Sequence, residues 1–219
     1  MNLFSALFKY MLAFVLPVRC IGCKSDKEIL CAHCVAALPP ANQPNDHFIF
    51  ALFDYNHPIL KRSIWKFKYE NARTVAKPLG RAMYDHMFAD LAEGLLLSAQ
   101  EKILLIPIPL HSKRLRERGF NQSELLVQEI ARNDTSSIFE VSTQSLKRIR
   151  PTPSQAKKEH RNERLKNLRG VFSADPEAVR GKDIILVDDV STTGATMSEA
   201  RKSLLAAKAR SVLCYAVAH

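Results

Sequence analysis

The sequence predicts an α/β fold in which a mainly parallel sheet is flanked by helices, with a small cysteine-rich module in front of it. Short apolar runs alternate with stretches of helical periodicity, and the runs are apolar throughout, which is typical of strands covered on both faces. Two Cys-x-x-Cys pairs near the N-terminus predict the module. A chain of 219 residues, 47% of them hydrophobic, can bury one medium core with a small appendage. We therefore assign the module to residues 1–44 and the sheet domain to residues 45–219.

Apolar residues recur at helical spacing between Leu3 and Val15, which predicts a short amphipathic helix at the N-terminus. Lys9 interrupts the apolar run, and Arg19 stands where a lipoprotein cleavage site needs a small residue, so the segment does not fit an export signal. No run reaches the roughly 18 apolar residues of a membrane span. We expect a cytoplasmic protein, with loose membrane association through the N-terminal helix as the open alternative.

Four cysteines predict how the module is held together. They form two Cys-x-x-Cys knuckles separated by seven residues: Cys20, Cys23, Cys31 and Cys34. Two such turns can surround one zinc ion with four thiolates, and a closed set of sulfur ligands makes the zinc structural. Two disulfides would need an oxidising compartment, and a redox site normally uses a single pair. His33 lies inside a knuckle that is already complete, and Cys214, in an apolar run, is predicted to be a core residue.

Predicted strands and helices alternate along the chain. Four apolar runs predict strands: FIFALFDY at 48–55, ILLIPIPL at 103–110, IILV at 184–187 and SVLCYAVA at 211–218. Helices are predicted over most of residues 57–98, with interruptions near Asn71 and at Pro78, and over residues 123–132 and 197–209. The prolines and asparagines of residues 38–46 mark a linker. Because ligands of open parallel sheets bind beyond the carboxyl ends of the strands, the residues after 187 are the first candidates for a site.

The strand at 184–187 ends in two adjacent acids and a hydroxyl-rich turn. Asp188 and Asp189 are poorly arranged to chelate one metal, because neighbouring strand residues point to different sides, but each can accept a hydrogen bond from a ribose hydroxyl. Hydroxyls and one glycine follow at the start of a predicted helix, whose free N–H groups favour an anion: Ser191, Thr192, Thr193, Gly194 and Thr196. Helix capping explains only one of these hydroxyls. A nucleotide triphosphatase would need a glycine-rich phosphate loop, which the seven glycines do not form.

The segment ILVDDVSTTGAT resembles the signature loop of the type I phosphoribosyltransferases, which bind phosphoribosyl pyrophosphate (PRPP) with magnesium. The resemblance implies that Asp188 and Asp189 hold the ribose hydroxyls and that the 5'-phosphate is held by Ser191, Thr192, Thr193, Gly194, Ala195 and Thr196. With the knuckles, IPIPLHSKRLRERGFNQSELL and LKRIRPTPSQAKKEHRNERLKNLRGVF, the chain resembles the ComF/GntX family over nearly its whole length. That family consists of competence-associated bacterial proteins with a phosphoribosyltransferase-like domain, linked to the handling of single-stranded DNA in natural transformation.

Basic residues, in a chain of formal net charge +10, are concentrated between residues 147 and 169, where nine Lys and Arg stand against two Glu. This density favours a partner that carries phosphate. By resemblance to phosphoribosyltransferases, the turn HSKR lies where pyrophosphate is held, so His111, Lys113 and Arg114 are candidates for that contact. Contacts with pyrophosphate or a nucleic-acid backbone are predicted for Arg118, Arg148, Arg150, Lys157, Lys158, Arg161 and Arg164, with a solvated helix face as the alternative for any single one. Asn121 and Gln122 could read a ligand, and Asn121 could instead cap the next helix.

Aromatic and basic residues alternate in KRSIWKFKYENAR, residues 61–73. Trp65, Phe67 and Tyr69 could stack on unpaired bases, or they could belong to a half-buried element whose lysines face water.

The favoured function is a competence protein that binds PRPP or another ribose phosphate and handles single-stranded DNA, with structural zinc and with magnesium accompanying PRPP. The alternatives are an active phosphoribosyltransferase with an unknown acceptor and a zinc-containing scaffold that docks a protein of the competence machinery. The sequence does not identify a catalytic base.

Overall fold

The computed structural model describes residues 18–26, 28–92, 102–151 and 169–219. The predicted N-terminal helix lies outside these residues, as do four of the predicted phosphate contacts, Lys157, Lys158, Arg161 and Arg164. The described residues alternate between helices and strands, as the apolar pattern predicts.

The elements follow one another in this order: α1 (Ala32–Ala36), β1 (Ile49–Phe53), α2 (Pro58–Tyr69), a 3₁₀ turn (Arg73–Val75), α3 (Ala76–Ala92), β2 (Ile103–Pro107), α4 (Ser112–Arg118), α5 (Gln122–Asn133), β3 (Phe139–Val141), β4 (Leu146–Arg148), β5 (Phe172–Ala174), α6 (Pro176–Val179), β6 (Asp183–Val190), α7 (Ala195–Ala206) and β7 (Ser211–Ala218). Each of the four predicted strands is present. The helices predicted at 123–132 and 197–209 correspond to α5 and α7.

Five strands of the described chain form a parallel sheet in the order β1-β7-β6-β2-β3. Strand β6 is central: its residues pair with β7 from Asp183 to Val190 and with β2 from Ile184 to Val187. The predicted class, a mainly parallel sheet flanked by helices, is confirmed. Because β6 is central, the acids that follow its apolar residues lie in the middle of the carboxyl edge of the sheet.

Apolar side chains cover both faces of the sheet. On one face, Leu105 and Ile185 pack with residues of α2, α3 and α5. On the other, Leu186 and Cys214 pack with residues of α7. All four side chains are fully buried, which confirms the core position of Cys214 and explains why the strand sequences are apolar without alternation.

Two features differ from the predicted elements. The expected interruption at Pro78 does not occur, because Pro78 is the third residue of α3, in the first turn, where a backbone N–H has no intrahelical acceptor to lose. The break near Asn71 is confirmed, and this residue has a φ of 54°. The antiparallel pair β4–β5 was not expected, because strands of three residues are too short to show a period. Strand β4 contains the first two residues of the basic segment at 147–169, and β5 begins shortly after its end.

The cysteine module packs on the face of the sheet that carries α2 and α3. Leu30 and Val35 belong to the same core as the buried residues of these helices. The backbone of the first knuckle approaches its neighbours closely: a Cβ on Gly22 would lie 2.6 Å from Cys34 Sγ and 3.1 Å from Ile59 Cδ1. Only glycine fits between the second knuckle and the start of α2 without displacing either.

Candidate functional site

The acidic pair lies at the carboxyl end of β6, where Asp188 is partly exposed and Asp189 is buried. Asp188 Oδ1 accepts hydrogen bonds from the hydroxyl of Ser123, at 2.8 Å, and from the backbone N–H of Asp189, at 2.9 Å. Asp189 Oδ2 lies 2.8 Å from the ammonium of Lys68. The two carboxylates thus have different partners, as expected for neighbouring residues of a strand. These contacts engage one oxygen atom of each carboxylate.

The electrostatics of the pair are set by burial and by one cation. Burial raises the pKa of the Asp188 carboxyl to about 7, the adjacent charge of Asp189 acts in the same direction, and Lys68 and the bond from Ser123 oppose them. Burial alone would lower the pKa of Lys68, but the charge of Asp189 raises it. Lys68 therefore stays protonated, while Asp188 exchanges its proton near neutral pH.

The loop after β6 leads into the N-terminus of α7. Ser191 is buried, and its Oγ has no hydrogen-bond partner among the described residues. Gly194 has a φ of 71°, and a Cβ there would lie 2.8 Å from Ile49 Cδ1, so the close turn requires glycine. Gly194 is the N-cap of α7 and has no side chain with which to cap the helix. The N–H of Ala195 donates only a long hydrogen bond, of 3.5 Å, to Thr193 Oγ1. The first turn of α7 therefore keeps hydrogen-bond donors for an anion.

A cavity of about 510 Å³ opens beside the acidic pair and this loop, within the size range of small-molecule sites. Residues from β6, α4, α5 and β4 meet around it. Among the predicted site residues, its lining includes Asp188, Asp189, Ser191, Thr192, Thr193, Gly194, Ala195, Thr196, Arg114, Arg118 and Arg148. The fold thus brings the predicted ribose-phosphate residues together with three of the predicted basic contacts.

The arginines give the cavity a positive side. Burial lowers the pKa of the Arg148 guanidinium, and the nearby charge of Arg114 lowers it further. The two guanidinium groups repel each other in a partly buried site, and an anion bound beside them would relieve this repulsion. Arg118 donates a hydrogen bond to Gln122 Oε1 at 2.6 Å and lies over the ring of Tyr69, 5.6 Å from its centre.

Other predicted residues lie outside the lining of the cavity. The side chain of His111 caps α4, where Nδ1 accepts a bond from the N–H of Lys113 at 3.3 Å. Lys113 and Arg150 are exposed. The capping interpretation of Asn121 is confirmed, because its Oδ1 accepts a bond from the N–H of Ser123 at 3.2 Å. The pyrophosphate and nucleic-acid roles of His111, Lys113 and Arg150 stay predictions.

Lys68 and Ser123 were missed by the sequence analysis. The residues around Lys68 were predicted to be helical, and in α2 Phe67 is fully buried while Lys68 lies beside Asp189. No local pattern relates Lys68 to a carboxylate so far along the chain. Ser123 carries a clearer signal, because it lies in the first turn of a helix that starts near the carboxyl edge of the sheet.

The cysteine cluster is a candidate metal centre. The sulfur atoms of Cys20, Cys23, Cys31 and Cys34 all lie within 4.8 Å of one another. The Sγ of Cys31 is 3.6 Å from the Sγ of Cys20 and from that of Cys23, close to the edge of about 3.8 Å that a tetrahedron with Zn–S bonds of about 2.3 Å has. The described cysteines form no disulfide, and His33 is exposed. The four sulfurs therefore suit a metal ion such as zinc.

Comparisons with known proteins agree with this architecture. A family model for the phosphoribosyl transferase domain matches residues 126–219. The chain is 30% identical over 178 residues to the DNA utilization protein YhgH of Salmonella typhimurium, an alignment that covers 80% of this chain and 71% of that protein. It is 30% identical over 188 residues to competence protein F of Haemophilus influenzae, covering 84% of this chain and 77% of that protein. The chain belongs to the ComF family.

This ComF protein is also similar to a solved structure, the glutamine PRPP amidotransferase of B. subtilis. The similarity has a TM-score of 0.39 at 17% identity and covers 66% of this chain and 26% of that one. In the part of the ComF protein that the structure describes, no helix combines the length and the apolar character needed to cross a membrane.

Proposed function

We propose that this ComF protein binds PRPP, or another ribose phosphate, in the crevice at the end of β6 and handles single-stranded DNA during natural transformation. The observation that carries the proposal is the meeting of an acidic pair, a loop rich in donors and a set of arginines around one cavity. A ribose diol needs hydrogen-bond acceptors and a phosphate needs donors, and the crevice offers both. The DNA part is supported by the similarity to proteins named for DNA utilization and competence.

The ribose is assigned to the acidic pair. The bonds from Ser123 and Lys68 engage one oxygen atom each of Asp188 and Asp189, so the second oxygen of each carboxylate can accept a bond from a ribose hydroxyl. Such bonds are stronger to a charged acceptor. Because the pKa of Asp188 is raised to about 7, a diol that binds its charged form should lower this pKa and release protons at neutral pH.

The phosphates are assigned to the loop and to the arginines. The buried hydroxyl of Ser191 and the first turn of α7 supply neutral donors for the 5'-phosphate. Arg114 and Arg148, both at the cavity, supply charge for pyrophosphate, which concentrates more negative charge than one phosphate does. Magnesium accompanies PRPP in this proposal, since phosphate oxygens supply much of its coordination. The cysteine cluster, in turn, is assigned a structural zinc.

Calorimetry on the full chain tests the ribose-phosphate assignment. PRPP with magnesium should bind the wild type, and Asp188→Asn should weaken binding at least tenfold, because the amide still accepts the bond from Ser123 but removes the charge that the diol needs. Asp85→Asn is the matched control: it neutralises an exposed aspartate of α3 that does not line the cavity, so affinity should stay unchanged. Equal binding by wild type and Asp188→Asn would contradict the assignment.

A salt titration tests the DNA part separately. If basic residues bind the backbone of single-stranded DNA, the association constant should fall steeply as salt rises, because binding releases condensed counter-ions. A response that is flat between about 50 and 200 mM salt would contradict backbone binding. Loss of DNA binding in Asp188→Asn would mean that the two ligands share the crevice, whereas retention would separate the two sites.

Transferase activity is a second candidate, favoured by the raised pKa of Asp188, because a group that titrates near pH 7 suits proton transfer. In that reaction, the bond between the ribosyl C1 and the pyrophosphate oxygen breaks, and pyrophosphate leaves with the electron pair. The acceptor nitrogen forms the new bond to C1 and gives its proton to the Asp188 carboxylate. The test is pyrophosphate release from PRPP and magnesium across a panel of bases and amines. Release that Asp188→Asn abolishes would support it, and no release with any acceptor would leave binding as the function.

A further inference from the structure

Two large aromatic side chains are exposed on one face of α2. Trp65 is 52% exposed and Tyr69 is 65% exposed, although aromatic residues usually bury most of their surface. They are one helical turn apart, with 5.9 Å between their ring centres. Phe67 of the same helix is fully buried against Phe120, so α2 does contribute an aromatic residue to the core. No described residue buries this pair, so the two rings are available to a ligand.

The same face is basic. Lys61 and Arg62 are exposed one turn before Trp65, and α2 contains no acidic residue. At the other end of the helix, the Arg118 guanidinium lies 5.6 Å from the centre of the Tyr69 ring. Cations thus flank both rings. We call the following set the aromatic-basic face: Lys61, Arg62, Trp65, Tyr69 and Arg118.

The aromatic-basic face leads directly to the crevice, because Tyr69 and Arg118 also line the cavity. Glu70, the acid that follows the helix, is paired with Lys66, so it does not cancel the charge of the face. Rings accept stacked bases, and cations accept backbone phosphates. The face ends at a site whose groups suit ribose and phosphate, which makes this continuous surface complementary to a chain of nucleotides.

We propose that the aromatic-basic face binds unpaired nucleotides of single-stranded DNA, with bases on Trp65 and Tyr69 and phosphates beside Lys61, Arg62 and Arg118, so that the strand runs along α2 to the mouth of the crevice. This inference rests on the DNA part of the proposed function and names the surface that carries it. Duplex DNA fits the face less well, because its bases are stacked on one another and cannot cover the rings.

The test uses the full chain and a fluorescein-labelled oligo-dT of 20 nucleotides. Trp65 is the single tryptophan of the chain, so unlabelled oligo-dT should quench the intrinsic tryptophan fluorescence of the wild type. By anisotropy, Trp65→Ala and Tyr69→Ala should each bind about tenfold more weakly, since stacking on one ring contributes roughly a factor of ten per base. Phe88→Ala is the matched control, because Phe88 is a 43% exposed aromatic residue that lies on α3 and does not line the cavity, and this variant should bind like the wild type.

Several outcomes would overturn the inference. One outcome is that DNA binds without quenching and with equal affinity to wild type, Trp65→Ala and Tyr69→Ala. The DNA site would then lie elsewhere on the protein, and the proposed function would stand. Absence of any DNA binding would contradict both the role of the aromatic-basic face and the DNA part of the proposed function. PRPP calorimetry would still test the ribose-phosphate assignment of the crevice. Tighter binding of oligo-rU, of duplex DNA, of poly-glutamate or of anionic lipid vesicles would assign the face to another partner. Trp65→Ala should bind PRPP like the wild type, because Trp65 does not line the cavity.

Discussion

Asp188→Asn should stabilise the ligand-free protein at neutral pH. Burial and the charge of Asp189 raise the pKa of Asp188 from 3.8 to about 7, so the folded protein keeps a proton that the unfolded chain has released. Because folding raises this pKa, the stabilisation from the Asp188 carboxyl is complete below about pH 4 and is lost as pH rises to about 7. Three pKa units correspond to roughly 4 kcal/mol. Because Asp188 is only partly buried beside a solvated cavity, we expect about half of this, about 2 kcal/mol.

Urea unfolding at pH 4 and pH 8 measures this effect. The free energy of unfolding of Asp188→Asn should exceed that of the wild type by about 2 kcal/mol at pH 8 and by less than about 0.5 kcal/mol at pH 4. The amide oxygen still accepts the bonds from Ser123 and from the Asp189 N–H, so the substitution removes the charge with little change in geometry. A variant that is less stable than wild type at pH 8, or a difference that does not change with pH, would refute the electrostatic reasoning.

Asp183→Asn provides a control of opposite sign at the other end of the same strand. Hydrogen bonds from Arg210 and from the hydroxyl of Ser211, the latter at 2.8 Å, lower the pKa of Asp183. A lowered pKa means that the stabilisation is complete above the ordinary pKa and is lost on acidification. Asp183→Asn should therefore destabilise the protein at pH 8, with a cost that shrinks as pH falls below about 4.

Three further predictions concern single contacts. Lys68→Met leaves the buried carboxylate of Asp189 without its cation, so urea unfolding at pH 8 should show a loss of about 3–5 kcal/mol; a loss under about 1 kcal/mol would mean that the pair contributes little. Gly194→Ala introduces a methyl group 2.8 Å from Ile49 Cδ1 at a φ of 71°, which should cost about 1–3 kcal/mol and weaken PRPP binding at least tenfold in calorimetry, and unchanged values would contradict the close turn. Cys34→Ser should abolish bound zinc in elemental analysis and lower the melting temperature, whereas a metal-free protein with an unchanged melting temperature would exclude a structural metal.

The apolar strands and the acidic end of β6 could be predicted from sequence because their signals are local. A run such as that of Ile184 to Val187 is apolar because both faces of the sheet are covered, and the acids after it must lie at the carboxyl edge. The cysteine cluster was predictable for the same reason, since two tight turns fix the geometry of each pair. These are features in which a few adjacent residues determine the outcome.

The contacts that tune the site were not predictable, because they join distant segments. Lys68 reaches Asp189 because α2 packs with Phe67 in the core, and a predicted helix does not by itself show which distant carboxylate its lysine meets. Ser123 reaches Asp188 only because α5 starts beside the end of β6. Pro78 was expected to interrupt a helix, but its effect depends on whether it falls in the first turn, and helix starts are difficult to locate to one residue.

Helix α2 sets the spacing between the cysteine cluster and the crevice. Ile59, near its start, meets the first knuckle at Gly22, and Lys68, near its end, meets Asp189. Inserting or removing one residue between them would shift Lys68 by about 1.5 Å along the helix axis and rotate it by about 100° around that axis. This displacement is large enough to break its contact with the carboxylate. The number of residues in this stretch is therefore under stricter control than their identity. Relatives that keep both sites should differ along α2 by substitution and not by length.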